Sequence, residues 1–134
     1  RKGFIEYQAV VPSDSAYEAI FELLKKITKS KLGSAIAAVK PLTKSDGLIS
    51  FPIDGFTLAV DFAYSENLLP LLDQLDQIVI ASGGRVYLAK DARLSGKSFK
   101  KMYSNSLEKW ELIREKKQVK QNFTSAMFNR LSGT

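Results

Sequence analysis

The sequence predicts an α+β domain with four antiparallel strands and two helices in the order β-α-β-β-α-β. Several short segments alternate apolar and polar residues, which is typical of strands with one buried face. Two longer segments repeat apolar residues every three or four positions, as amphipathic helices do. This order is that of the ferredoxin-like fold, in which both helices lie on one face of the sheet and the first and third strands are central.

The first strand and the first helix are predicted within residues 4–27. Residues 4–11 (FIEYQAVV) alternate between two faces, as a strand does. Residues 12–27 then have helical periodicity, and Ser15 and Glu18 have the spacing of a capping box. The predicted apolar face of this helix consists of Tyr17, Ile20, Phe21, Leu24 and Ile27.

Three strands and a second helix complete the pattern. Residues 34–42 form a β-like run that its proline is expected to stop, and FTLAVDFA at 56–63 is the clearest strand. A helix is expected over about residues 68–82, ended by the glycine pair that follows it, and residues 85–89 form the last strand. The apolar side of the second helix consists of Leu68, Leu71, Leu72, Leu75 and Val79.

Strand parity divides the central strands into two faces, because successive side chains point to opposite sides. The predicted helix-facing set is Ile5, Tyr7, Ala9, Val11, Leu58, Val60 and Phe62. The opposite face, called the open face below, carries Glu6, Gln8, Thr57, Ala59, Asp61 and Tyr87. Polar and small residues in the middle of a sheet can receive a ligand or another domain, and they are equally compatible with a face exposed to water.

The basic charge is confined to the tail of the chain. Residues 1–93 hold 11 basic and 11 acidic residues, whereas residues 94–134 hold 9 basic residues and 3 glutamates and so carry the whole net charge of +6. We therefore expect residues 94–134 to form a helical segment whose surface meets a partner or a missing domain. The large aromatic side chains expected to be exposed on this segment are Phe99, Tyr103, Trp110, Phe123 and Phe128.

The composition excludes several kinds of site. The 134 residues contain no cysteine and no histidine, which removes disulfides, thiolate and most zinc sites, and Ser-His or Cys catalysis. The sequence shows neither a signal peptide nor an apolar run of the ~20 residues that a membrane helix needs, so a cytoplasmic protein without a transmembrane segment is expected. Asp73 and Asp76 are predicted on a solvated helix face, and Asp61 and Asp91 in structural ion pairs.

Five segments, in this order along the chain, resemble the C-terminal part of FAD-linked oxidoreductases of the vanillyl-alcohol-oxidase type, in particular its sugar-oxidising members. They are EYQAVVP, VKPL, ISFPIDGFTLAVDF, SGGRVYLAKDAR and MYSNSLEKWELIREK, and they extend over nearly the whole chain. The combination of FPI-G-----VDF with GGR-Y-AKD-R is the most specific part.

The resemblance implies a flavin site at Lys90 and Tyr87. The lysine of AKD-R lies beside the reacting face of the flavin in the family and is needed for activity, and the tyrosine lines the same site. A cation there stabilises negative charge on the reduced flavin. The implied reaction is oxidation of an alcohol, on a sugar or polyol-like substrate, by hydride transfer to FAD. The resemblance also implies that residues 1–93 form a substrate-binding domain and that residues 94–134 return to pack on an upstream FAD-binding domain. The chain shows no Gly-rich phosphate loop of its own, so this chain alone is expected to be inactive.

The resemblance also implies a substrate site on the open face. Gln8 matches a family glutamine, and Lys40 of VKPL matches a lysine that contacts substrate. Glu6 stands where the close relatives have another glutamine. The substrate contact at Glu6 is therefore expected to differ. Thr57 and Ala59 stand where a relative has an asparagine and a cysteine, so inhibitors that attack that cysteine are expected to find no target here.

A freestanding module that binds RNA or a small ligand is the alternative. An RNA-recognition fold needs aromatic side chains on its central strands, whereas this third strand presents Thr57, Ala59 and Asp61. No nucleic-acid partner is therefore expected. Simpler roles remain open for the single residues: Lys90 as a solvated lysine at a strand end, Tyr87 as a packing residue, and an edge lysine that prevents aggregation.

Overall fold

The computed structural model describes residues 3–117 and 124–133 and has the predicted α+β class. Phe123, one of the aromatic residues expected to be exposed, lies outside the described residues. The elements in chain order are β1 (Phe4–Pro12), α1 (Ala16–Ser30), β2 (Gly33–Leu42), β3 (Gly55–Ala63), α2 (Leu68–Ala81), β4 (Arg85–Val86), α3 (Gly96–Met102), α4 (Ser104–Lys116) and α5 (Ala126–Ser132). Short 3₁₀ turns at Ser13–Ser15 and Leu88–Lys90 lie between them.

The four strands form one antiparallel sheet in the order β2-β3-β1-β4, so the first and third strands are central as predicted. β1 pairs with β3 over its whole length, from Phe4 opposite Ala63 to Pro12 opposite Gly55. β2 continues through Pro41, which was expected to stop it. An edge strand can accommodate proline, because one of its sides needs no ladder hydrogen bond.

The predicted helix-facing side of the sheet forms the core with α2. Six of its seven members are buried, and the seventh, Ile5, packs against the same cluster. Every predicted apolar residue of α2 is buried as well. This helix ends where expected: Gly83 has a φ of +74°, and the Gly84 amide donates to the Val79 carbonyl at 2.8 Å.

The predicted apolar face of α1 is wrong in part. Tyr17 and Phe21 are 78% and 54% exposed and stack on each other, with ring centroids 6.4 Å apart. The buried residues are Ala16, Ala19, Leu23 and Ile27, because a stripe that begins with two alanines brings the helix backbone close to the sheet. The predicted capping box is absent: Ser15 makes no capping hydrogen bond, and its hydroxyl instead donates to the Ser82 carbonyl at 3.0 Å.

The last strand is shorter than predicted. β4 has two residues, and one further bond, from the Tyr87 amide to the Gln8 carbonyl (2.8 Å), continues its pairing with β1. The chain then turns, because the Lys90 amide donates to the Tyr87 carbonyl (3.1 Å) and the Asp91 amide to the Leu88 carbonyl (3.2 Å). The segment that carries Lys90 is therefore a 3₁₀ turn instead of the end of a strand.

The tail packs against the sheet. Phe99 and Tyr103, both expected to be exposed, are 6% and 2% exposed and belong to the same hydrophobic cluster as the central strands. The Tyr103 hydroxyl donates to the Val86 carbonyl at 3.0 Å, and the Val86 amide donates to the Met102 sulfur at 3.4 Å. The tail thus satisfies the backbone of a sheet edge that would otherwise be unpaired.

Within the described ranges, no helix has the length and apolar character needed to cross a membrane.

Replacing Tyr103 by Phe tests whether the tail stabilises this edge. The substitution leaves the buried Val86 carbonyl without its side-chain donor, so we expect a loss of about 1–3 kcal/mol in the free energy of unfolding. Urea unfolding followed by circular dichroism measures it. Tyr17→Phe, at an exposed position, is the matched control and should change little; an equal loss in both variants would contradict the assignment.

The pH dependence of stability gives a second test of the same side chain. Burial raises the pKa of Tyr103 to about 12 from its ordinary 10.0. The folded protein therefore holds this proton more tightly than the unfolded chain. This difference in proton affinity stabilises the folded protein fully below pH 10. The contribution, up to ~3 kcal/mol of unfolding free energy, is lost as the pH rises through about 12. Unfolding free energies measured across this range should fall less steeply in Tyr103→Phe than in the wild type.

Candidate functional site

Gln8 and Thr57 form the centre of the open face. The Gln8 side-chain amide donates to the Thr57 hydroxyl at 3.1 Å, and that hydroxyl donates to the Ala9 carbonyl at 2.9 Å. Ala59 is the cross-strand partner of Gln8 and adds a small, half-buried neighbour. This chain of hydrogen bonds holds the Gln8 amide group in one position above the sheet.

Glu6 and Lys90 form an ion pair at one end of the open face. Glu6 comes from β1, and Lys90 comes from the 3₁₀ turn that follows β4. Their side chains are 32% and 34% exposed, so a ligand can reach both. Asp61 lies opposite Glu6 in the register between β1 and β3. Two carboxylates placed opposite each other repel, and the ammonium of Lys90 compensates part of this repulsion.

Tyr87 is joined to Gln8 by a backbone hydrogen bond, from the Tyr87 amide to the Gln8 carbonyl, and Phe51 covers one side of its ring. The two rings stack with centroids 4.5 Å apart, and Phe51 is buried. Phe51 belongs to the FPIDG segment that precedes β3, and Arg85 donates to the Ser50 carbonyl at 2.8 Å beside it. This segment therefore lies over the β4 side of the open face. The sequence prediction did not place Phe51 at the site, although the segment that carries it was part of the resemblance.

Lys40 lies at the far edge of the open face. It is exposed on the edge strand β2, where it pairs in register with Thr57. In the strand order, β3 and β1 lie between Lys40 and the turn that carries Lys90. The structure therefore brings six of the seven predicted site residues close together and leaves Lys40 at the rim. A ligand that touched both lysines would have to extend across the central strands.

A buried network lies behind the turn that carries Lys90. The guanidinium of Arg93 donates to both carboxylate oxygens of Asp76, at 2.8 and 2.7 Å, and to Asp73 at 2.8 Å. The Tyr7 hydroxyl donates to Asp76 at 3.2 Å. Burial raises the pKa of the Asp76 carboxyl, and the Arg93 hydrogen bonds offset only part of that effect. Burial likewise raises the pKa of Tyr7 well above its ordinary value.

The prediction of a solvated face at Asp76 is wrong, whereas Asp73 is exposed as expected. The side chain of Asp76 is 2% exposed, because it faces Arg93 inside the domain. A signal was present in the sequence. Leu72, Asp76 and Val79 have the spacing i, i+4, i+7, which places the carboxylate on the apolar stripe of α2.

Asp91 anchors the same turn to the last helix, as the predicted ion-pair role requires. One of its oxygens accepts the amides of Arg93 and Leu94, at 2.9 and 2.8 Å. The other accepts from Arg130 of α5 at 2.8 Å. Arg130 also donates to the Leu94 carbonyl. The residue next to Lys90 is thus held by a helix that begins 35 positions later in the chain.

A separate cleft of about 810 Å³ lies among the tail helices. Its apolar walls include Leu88, Phe99, Leu107, Trp110 and Phe128. The guanidinium of Arg114 lies 4.8 Å from the Trp110 ring centroid and 4.2 Å from that of Phe128. Leu88 belongs to the turn that carries Lys90, so this cleft and the open face meet at that turn.

The sequence was compared with known proteins. The chain is 34% identical over 130 residues to decaprenylphosphoryl-beta-D-ribose oxidase of Mycolicibacterium smegmatis. The predicted resemblance is confirmed. The match covers 96% of this chain and 28% of the oxidase.

A second relative is an uncharacterized Streptomyces coelicolor protein in the mprA 5′ region. It is 38% identical over 88 residues, which cover 65% of this chain and 24% of that protein. The chain therefore spans about a quarter of the length of these relatives. No protein-family model matches the chain.

The residues around Lys90 fit the reactive part of a flavin but not the whole cofactor. Lys90 offers a partly exposed ammonium, and Tyr87, whose carbonyl accepts the Lys90 amide, adds an aromatic side chain to the same turn. A planar ring system that gains negative charge on reduction suits these two groups. Gly83 and Gly84 serve to end α2, so they do not form a loop around a phosphate. Within residues 3–117 and 124–133, no cluster of acidic side chains could hold a metal ion.

Arg130→Gln tests whether α5 holds the Lys90 turn. The substitution removes the charged partner of an Asp91 side chain that is 2% exposed, so we expect the protein to lose about 1–3 kcal/mol of stability. Hydrogen exchange should also accelerate at the amides of Arg93 and Leu94, which bond to Asp91. Lys116→Gln also removes one positive charge, but at an exposed position, so it should change neither the stability nor the exchange rates. Unchanged exchange at Arg93 and Leu94 in Arg130→Gln would contradict the anchoring role.

Proposed function

We propose that this chain is the substrate-binding part of a longer FAD-dependent oxidoreductase that oxidises an alcohol group on a sugar or polyol-like substrate. The similarity to an oxidase over nearly the whole chain supports the class of reaction. The name of that oxidase includes a ribose derivative, which supports a sugar-like substrate here. FAD would be held mainly by a domain that precedes residues 1–134.

One observation carries the proposal: Lys90 is fixed at the end of a polar row on the open face. The row consists of Gln8, Thr57 and Tyr87, and the Glu6–Lys90 pair closes it. Amide, carboxylate and hydroxyl groups beside an aromatic ring can bind the hydroxyl groups of a polyol and orient its carbon skeleton. An alcohol held along this row would present one carbon at the lysine end.

The residues of this chain would act by binding and by electrostatics. FAD supplies the acceptor for a hydride when it is bound. Gln8, positioned by the buried Thr57, would hold a substrate hydroxyl, and Lys40 would contact a more distant part of a long substrate. Lys90 would stabilise the negative charge that develops beside it during the reaction. The Asp91 and Arg93 contacts hold the backbone of the turn that carries Lys90, and Glu6 binds its ammonium.

Lys90→Met in the natural full-length protein is the direct test. If its charge stabilises the transition state, kcat for oxidation of the alcohol should fall about 100-fold or more, while KM changes little. Lys40→Met should instead raise KM and leave kcat nearly unchanged, because that lysine lies at the rim. Full turnover in Lys90→Met would refute the role proposed for this lysine.

The intact mass of the endogenous protein separates this proposal from a freestanding binding module. We expect an antibody against this segment to detect a species well above 14.9 kDa that carries the absorbance of bound flavin. A species of 14.9 kDa without an associated flavoprotein would instead support the module.

A further inference from the structure

Lys90 is already paired with a carboxylate of its own chain. Its ammonium binds Glu6, and both side chains are about one-third exposed on the open face. Asp61, exposed on β3, lies opposite Glu6 in register. The cation that the proposed function assigns to the flavin therefore has an anionic partner before any cofactor or substrate approaches.

Oxidation of an alcohol also needs a group that accepts the hydroxyl proton. Residues 1–134 contain no histidine and no cysteine, so a proton acceptor supplied by this chain would be a carboxylate, a lysine or a tyrosine. The buried acidic groups near the turn are already bonded: Asp91 to Arg130 and two backbone amides, and Asp76 to Arg93 and Tyr7. Glu6 is a carboxylate that both contacts Lys90 and remains accessible to a ligand.

We propose that Glu6 accepts the hydroxyl proton of the substrate; this inference rests on the proposed function. The substrate carbon loses its hydrogen with both electrons, as a hydride, to the flavin oxidant. The hydroxyl proton goes to a Glu6 carboxylate oxygen, and the carbon–oxygen bond becomes a carbonyl. The alcohol is oxidised by two electrons and the flavin is reduced by two, so atoms and charge balance.

The shared lysine couples the two transfers. Glu6 loses its negative charge when it takes the proton, and the flavin gains negative charge when it takes the hydride. The ammonium of Lys90 would therefore have one anionic partner before the reaction and one after it. A glutamine side chain at this position would have no carboxylate to accept the proton, so the change Glu6→Gln removes the proton acceptor and keeps the size of the side chain.

Glu6→Gln in the flavin-loaded full-length protein tests the assignment. We expect kcat to fall about 10²–10⁴-fold, the usual scale for loss of a positioned base, with a smaller change in KM. Added formate should restore part of the activity of Glu6→Ala, because it can supply the missing carboxylate. Glu22→Gln, an exposed change of the same kind on α1, should retain full activity. An unchanged kcat in Glu6→Gln would overturn the proposal. A large fall in kcat in Asp61→Asn in place of Glu6→Gln would overturn it as well.

Sulfite binding supplies a readout that does not depend on turnover. Sulfite adds to oxidised flavin, bleaches its absorbance and leaves negative charge on the ring, so a nearby free cation tightens its binding. In Glu6→Gln the ammonium of Lys90 has lost its carboxylate partner, and sulfite should bind several-fold more tightly although turnover falls. If Glu6 only positioned Lys90, sulfite binding and turnover would both weaken in Glu6→Gln. That result would overturn the proton-acceptor role. A full-length protein that binds no flavin would refute the proposed function itself, and the present inference with it.

Discussion

The ion pair between Arg93 and Asp76 determines how the rest of the site is arranged. It joins α2 to the segment that follows β4, and Tyr7 extends the network to β1. A buried carboxylate needs such a partner, because removal of one member leaves an uncompensated charge in the interior. The chain after β4 therefore has to leave the sheet where Arg93 can reach α2, and Lys90 lies in the turn that this departure requires.

The same turn is held from its other side by the tail. Asp91 bonds to Arg130, and Tyr103 and Met102 bond to both backbone groups of Val86. A two-residue edge strand is too short to be stable by its own ladder, so these contacts from α3 to α5 complete it. Buried side chains that precede residue 93 in the sequence and buried side chains that follow it therefore belong to one hydrophobic core. The change in net charge that begins after residue 93 is therefore a property of the molecular surface and not of the interior.

The strands and the two faces of the sheet could be predicted because alternation in the central strands is regular. The buried face of α1 could not be predicted in the same way. The large apolar side chains pointed to Tyr17 and Phe21 as the buried residues, whereas the close approach of the helix to the sheet buries the neighbouring alanines. The Glu6–Lys90 pair joins residues 84 positions apart, and its geometry depends on a turn that the pattern of apolar residues suggested was a strand. Periodicity reports which side a residue occupies, but it does not report where an edge strand ends.

The arrangement of charge explains why the polar row can be functional instead of merely solvated. A solvated face has no need for hydrogen bonds that fix the Gln8 amide through Thr57, or for two anchored residues behind one lysine. Ordering side chains costs conformational entropy, and here the ordered groups converge on a single end of the sheet. The anchors are buried, whereas Glu6 and Lys90 remain accessible. A rigid support beneath an accessible charge pair is the arrangement that a preorganised electrostatic site requires.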